Sequence, residues 1–132
     1  AQFRFSATER QSQMNSSVLG SGVTIGKGSV VRDSIIMQGV TIGENCVIEK
    51  AIIAEDTVIG SGAAIGIGGE VPNKMKPNIY SGGLATIGEN SVIPPGVQIG
   101  KNTAISGVTT AEDYIGGVLE SGETLIKAGD RV

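Results

Sequence analysis

Between Val31 and Ile59 the chain reads VRDSIIMQGVTIGENCVIEKAIIAEDTVI, and its aliphatic positions follow neither of the two common spacings. An amphipathic helix places apolar residues three and four apart, and a half-buried strand places them two apart. Here they return every six: Leu19, Ile25 and Val31, then Ile36, Ile42 and Ile48, then Ile53, Ile59 and Ile65. The steps from Val31 to Ile36 and from Ile48 to Ile53 are five, so six, six and five sum to a 17-residue period. After a break the six-residue steps resume at Ile87, Ile93, Ile99 and Ile105.

A second column locks the frame. The fourth residue of each full unit is Gly22, Gly28, Gly39, Asn45, Asp56, Gly62, Asn90, Gly96 or Asn102. All belong to the three residue types that best tolerate a left-handed backbone, so each unit is expected to turn there with positive φ. The fifth residue is small or β-branched: Val23, Ser29, Val40, Cys46, Thr57, Ala63, Ser91, Val97 and Thr103. These are expected to point inward beside the aliphatic of position one. The five-residue units carry Ser34 and Ala51 in place of the corner residue, which predicts a shorter, different turn at one corner.

Three short strands per coil, each followed by a corner, make a triangular prism whose coils stack at about 4.8 Å, the ordinary interstrand spacing. Backbone groups then pair between coils, so several coils are needed for any one to be stable. The predicted fold is all-β, a parallel β-helix of hexapeptide repeats with about five coils. Residues 14–132 form the β-helix domain, with an inserted loop at 67–86 and a capping tail at 106–132. The insertion, IGGEVPNKMKPNIYSGGLAT, holds two prolines, two lysines and a Gly-Gly pair, and reads as a loop thrown out from the wall. In the tail, Val118-Leu119 and Leu125-Ile126 flank an SGE turn and are read as a hairpin-like cap over the open sheet edge. Residues 1–13 are off pattern, although Ser6 and Glu9 are spaced as a capping box for a short helix.

Composition narrows the interior and the chemistry. Aromatics make up 3% of the 132 residues and Trp is absent, so aliphatics must fill the core. A net charge of −3 argues against a nucleic-acid partner, which favours a basic face. No apolar run approaches the length of a membrane-spanning helix, so no membrane association is expected. One cysteine allows no internal disulfide and points to a reducing, cytoplasmic setting. Cys46 itself falls in an inward small-residue slot and is expected to be buried and inert. The sequence contains no histidine.

The stretch DSIIMQGVTIGENCVIEKAIIAEDTVIG, from Asp33 to Gly60, resembles the C-terminal domain of bacterial glucose-1-phosphate adenylyltransferases, members of the sugar nucleotidyltransferases. SSVLGSGVTIGKGSVV before it and IYSGGLATIGENSVIPPGVQIGKNTAI after it are similar too. The resemblance implies a left-handed β-helix, a hand that the periodicity alone does not give. It implies a role in subunit association and allosteric support, with effector phosphates bound near the junction of the domains. It also implies an N-terminal nucleotidyltransferase domain that holds Mg²⁺ through aspartates. No glycine- and arginine-rich nucleotide loop of that domain occurs here, so no cofactor is expected in this chain, and Mg²⁺ only in the catalytic domain. IGIGGE at 65–70 is glycine-rich, but it is a repeat corner and does not join a strand to a helix.

The residues themselves nominate few chemical sites. Lys74 and Lys76 in the insertion are candidate effector- or anion-binding residues, because lysine serves as a phosphate point charge. Solvated loop lysines are the plainer alternative. Arg32 and Lys50 are near neighbours across one coil and are expected to pair with Asp33 and Glu49. Glu44, Glu55 and Glu89 are scattered one per corner, without an enforced acid–base pair, so no catalytic residue is assigned. Outward Val30, Val47, Val58, Val92 and Ile67 are expected to leave part of a face apolar, which favours a homo-oligomer. Two rival readings remain. A hexapeptide-repeat acyltransferase needs a histidine base, and a zinc carbonic anhydrase of similar repeats needs histidine ligands. A structural or designed scaffold would use the β-helix only as a spacer.

Overall fold

A computed structural model describes residues 13–15, 17–76, 78 and 82–127. The fold is a left-handed β-helix of parallel strands arranged as three walls around an aliphatic core. The described residues form about six turns, in line with the repeat reading of about five coils. The first three are β1–β3 (Gln13–Asn15, Val18–Leu19, Thr24–Ile25), β4–β6 (Val30–Arg32, Ile35–Ile36, Thr41–Ile42) and β7–β9 (Val47–Glu49, Ala51–Ile53, Val58–Ile59). The fourth is β10–β12 (Ala64–Ile65, Ala85–Ile87, Val92–Ile93), with the insertion between its first two strands. The fifth keeps two strands, β13 (Gln98–Ile99) and β14 (Thr103–Ser106), and the sixth is β15 (Val118–Leu119) and β16 (Thr124–Ile126).

Register follows the period. Val30, Val47 and Ala64 stack in the first wall, Ile36 and Ile53 in the second, and Ile25, Ile42 and Ile59 in the third. The position-one aliphatics from Leu19 to Ile105 are all buried. Every predicted corner residue has positive φ, including Asn45 (57°), Asp56 (58°), Asn90 (56°) and Asn102 (55°). The position-five residues are buried as well, and their polar atoms serve the neighbouring backbone. Ser29 Oγ donates to the Gly43 carbonyl (2.7 Å) and accepts from the Cys46 N–H (3.0 Å). Thr57 and Ser91 repeat the device on the Gly88 carbonyl (3.0 and 2.7 Å). A small polar side chain in this slot therefore satisfies corner groups that water does not reach.

The glycine that follows many position-one aliphatics has a different cause. A Cβ on Gly60 would lie 2.4 Å from the Pro95 nitrogen, and one on Gly26 would lie 2.5 Å from the Gly43 carbonyl carbon. The next turn passes so close that no side chain fits.

Three expectations need correcting. The short corner carries its left-handed residue at Asp33 (φ 50°) and Lys50 (φ 47°), one position before Ser34 and Ala51. Ser34 instead folds inward, donates to the Arg32 carbonyl (2.7 Å) and accepts from the Ala51 N–H (3.1 Å). The tail is no hairpin: β15 and β16 run parallel to β13 and β14 and extend the helix. The insertion is not thrown out from the wall, because its described residues fold back along the last two turns. It runs from β10, which ends at Ile65, to β11, which begins at Ala85, and Gln13 pairs with Val30. The possible capping box at Ser6 and Glu9 lies outside the described residues.

Among the described residues the third wall has four strands, above which Val92 makes one parallel bridge to Val108. In the lower turns Gly43 and Gly60 donate their N–H groups upward, to Ile59 (2.9 Å) and Ile93 (2.8 Å). The equivalent position in the fourth turn is Pro94, which has no N–H to offer a further strand. Tyr114 closes the core there. It is 3% exposed, and its hydroxyl meets Thr109 Oγ1 at 2.9 Å. An aromatic thus enters an interior that the composition assigns to aliphatics.

Lys50 is the residue least suited to its backbone, since a left-handed conformation costs a non-glycine residue about 1–2 kcal/mol and asparagine tolerates it better. Lys50→Asn should raise stability by about 0.5–1 kcal/mol on that ground, read from urea melts. An unchanged or lowered midpoint would show that the lysine side chain offsets its own strain.

Candidate functional site

A concavity lies where the insertion leaves the fourth turn. It is a groove of about 390 Å³. Ile67, Gly68, Gly69 and Val71 form one wall, and Gln98, Gly100 and residues 118–121 form the other. The sequence explains its openness. Gly68 takes a positive φ of 88°, and a Cβ on Gly69 would meet nothing within 4 Å. The lining is largely aliphatic, with Gln98, Glu120 and Ser121 as its polar side chains. Ser121 Oγ accepts from the Lys101 N–H (3.0 Å).

Two buried asparagines set the insertion's path. Asn102, at a left-handed corner and 3% exposed, accepts from the Gly83 N–H (2.8 Å) and donates to the Val71 carbonyl (2.9 Å). Asn73, 2% exposed, donates to the Asn102 carbonyl (2.8 Å) and to Thr124 Oγ1 (3.1 Å). Its Oδ1 accepts the N–H groups of Met75 and Lys76 (both 2.9 Å), which shapes the tip as an Asx turn. The Pro72-Asn73 pair signals a turn in sequence, but the burial of Asn73 had no sequence signal. Asn102 is legible only as a corner.

The lysines nominated from sequence sit on this tip, outside the groove lining. The Lys74 ammonium pairs with the Glu123 carboxylate, and its pKa is raised chiefly by that hydrogen bond. Lys76 enters the described contacts through its backbone N–H. Arg32 pairs with Glu49 (2.9 Å), as predicted, and both side chains are well exposed, so the pair adds little stability. Among the described residues neither Asp33 nor Lys50 forms an ion pair; Lys50 Nζ instead lies 3.6 Å from where a Cβ on Gly83 would stand. In the tail, Asp113 accepts from Lys127 Nζ (2.8 Å) and from the Thr110 N–H (2.7 Å). The Lys127 bond is the main reason its pKa is lowered.

The five outward aliphatics do not share a face. Val30 and Val47 lie on the first wall and Val58 and Val92 on the third, while Ile67 lines the groove. The most exposed aliphatic column is on the second wall, where Val18 and Ile35 stack and are 54% and 44% exposed. Among the described residues no group of three or more His, Cys, Asp or Glu side chains is placed to hold a metal ion. No helix among them is long and apolar enough to cross a membrane.

A corner column of glycine, asparagine and aspartate, an isoleucine core and parallel walls define a hexapeptide-repeat domain of left-handed β-helix type. The chain belongs to the family of GlmU-like C-terminal hexapeptide domains, which residues 7–87 match. Among curated relatives, the glucose-1-phosphate adenylyltransferase of Thermotoga maritima is 56% identical over 110 residues, 83% of this chain and 26% of that protein. The enzyme of the same name from Lachnospira eligens is 57% identical over 65 residues, 49% of this chain and 15% of the relative. The matches to these curated relatives thus span about a quarter of their length or less. Among solved structures, a mutant GDP-perosamine N-acetyl transferase from Caulobacter crescentus superposes with a TM-score of 0.69 at 16% identity, over 98% of this chain and 52% of the other. The acetyltransferase domain of PglB from Neisseria gonorrhoeae gives 0.63 at 18% identity, over 95% and 54%. At such identities the likeness concerns the fold alone.

Cys46 offers a direct check on the interior. It is fully buried, its thiol faces the Gly60 carbonyl at 3.2 Å, and burial raises its pKa. A folded pKa above the unfolded one means that this contribution to stability is complete below the unfolded pKa. It is lost as pH rises towards the folded value. At pH 8 an aromatic disulfide reagent should label the native chain on the order of a hundredfold more slowly than the urea-unfolded chain. Equal rates would place the thiol at the surface.

Proposed function

We propose that this chain is the non-catalytic β-helix domain of a sugar-nucleotide pyrophosphorylase of the glucose-1-phosphate adenylyltransferase kind, which makes the precursor of glycogen or starch. The observation that carries the reading is 56% identity over 110 residues to the Thermotoga maritima enzyme of that name. In this reading the domain serves subunit association and supports allosteric control. Its partners are a second copy of the chain and an N-terminal nucleotidyltransferase domain, in the cytoplasm, with neither nucleic acid nor membrane involved. Mg²⁺ belongs to the nucleotidyltransferase domain. Lys74 and Lys76 are the residues proposed to meet an anionic effector, and at Lys74 the effector would compete with Glu123.

The rival enzyme class has weaker support. The acetyltransferases share the fold, but this sequence has no histidine to take a proton near neutral pH. Flat walls with aliphatic columns suit packing against another surface better than they suit chemistry.

A segment exchange tests the proposal. This chain replaces the matching stretch of the Thermotoga maritima enzyme, and pyrophosphate release from ATP and glucose 1-phosphate is measured for the hybrid and for the isolated chain. The hybrid should turn over and assemble, and the isolated chain should be inactive and self-associate at micromolar concentration. A folded but inactive hybrid would contradict the reading. So would thiol release from acetyl-CoA by the isolated chain, lost on a point substitution within it.

A further inference from the structure

The insertion leaves the fourth turn but is stitched to the sixth. Asn73 reaches Thr124 Oγ1 (3.1 Å), the Lys74 N–H donates to the Gly122 carbonyl (2.9 Å), and the Lys74 ammonium pairs with Glu123. The sixth turn is paired to the fifth through β15 and β16, but its inward Leu119 and Leu125 are only partly buried, unlike the isoleucines below them. None of the insertion's described residues belongs to the hydrophobic core. Its roots are glycines at positive φ, Gly66 and Gly68 on the outgoing leg and Gly82 and Gly83 on the returning one. Such residues absorb a backbone change at small steric cost. Asn102 joins the two legs, since its amide bonds Val71 on one and Gly83 on the other while its carbonyl holds Asn73.

From this arrangement we infer that the insertion and the sixth turn open and close as one cooperative unit, latched by Asn102, above a prism that stays folded. Most of the groove belongs to that unit, because residues 67–71 come from the insertion and 118–121 from the sixth turn. The groove therefore exists only in the latched state. A molecule seated in it would bind that state alone and shift the population towards it.

Hydrogen exchange by mass spectrometry on the full chain tests the latch. Asn102→Gly keeps a residue suited to the left-handed corner and deletes both side-chain bonds. Asn45→Gly makes the same change at a corner that does not touch the insertion. In Asn102→Gly, exchange in 67–76 and 115–127 should accelerate about tenfold or more and by a common factor, with β4–β9 unchanged. Asn45→Gly should accelerate neither segment relative to the other strands. The inference is overturned if the sixth turn keeps its protection while the insertion loses it, if neither responds, or if Asn45→Gly acts alike. Should Asn102→Gly fail to fold, the unaltered chain in sub-denaturing urea decides. There 67–76 and 115–127 must share one opening isotherm lying below that of β4–β9, and separate isotherms would refute the unit.

Discussion

The structure depends on the spacing between successive turns. Parallel strands pair at about 4.8 Å, and each turn of this prism is fixed by the backbone hydrogen bonds of its neighbours rather than by its own. The bonds from Gly43 to Ile59 and from Gly60 to Ile93 are part of that ladder. At several corners the next turn passes too close for a side chain after the core aliphatic, which is why Gly20, Gly26, Gly60 and Gly100 stand there. The chain must also reverse direction three times per turn, which places Asn45, Asp56, Asn90 and Asn102 at positive φ. The isoleucine columns follow from the same constraint, because each wall brings like residues into register.

Among the described residues the larger departures from the repeat fall at the upper end. The third wall shrinks to a single bridge, Val92 to Val108, where Pro94 offers no N–H, and Tyr114 packs into the core beside it. The insertion returns along the fifth and sixth turns and is tied there through Asn73 and Asn102. The lower turns are a regular scaffold, and the upper ones carry the groove, the exposed lysine and the ion pairs of the tail. A domain of this kind can present a specialised end to a partner while the stack below keeps its geometry.

Much of the fold was legible because the constraint acts on every turn. Two independent columns, the aliphatic and the left-handed corner, fix the frame from Leu19 to Ile105 without reference to any relative. The short corner was misplaced because lysine carries no signature of a left-handed backbone, so Lys50 gave no warning. The tail was misread for the opposite reason. Its SGE turn looked like a hairpin, yet Leu119 and Leu125 are six apart with Gly122 at the corner position and φ of 84°, so the repeat frame had resumed. The groove and its asparagines were not legible, since they depend on where a single irregular loop comes back to the wall. The nominated lysines were found on the loop tip, but nothing in their spacing revealed that Glu123 lies beside one of them.

The most direct test of the stacking constraint compares two glycines that differ only in what passes beside them. A Cβ on Gly60 would press on the backbone of Pro94 and Pro95 at 2.4 to 2.8 Å, whereas a Cβ on Gly69 meets open space. Urea melts of Gly60→Ala and Gly69→Ala measure the difference. The account predicts a loss of about 1–3 kcal/mol or more for Gly60→Ala, as for an overpacked core, and a change within about 0.5 kcal/mol for Gly69→Ala. Equal stability of the two variants would contradict it.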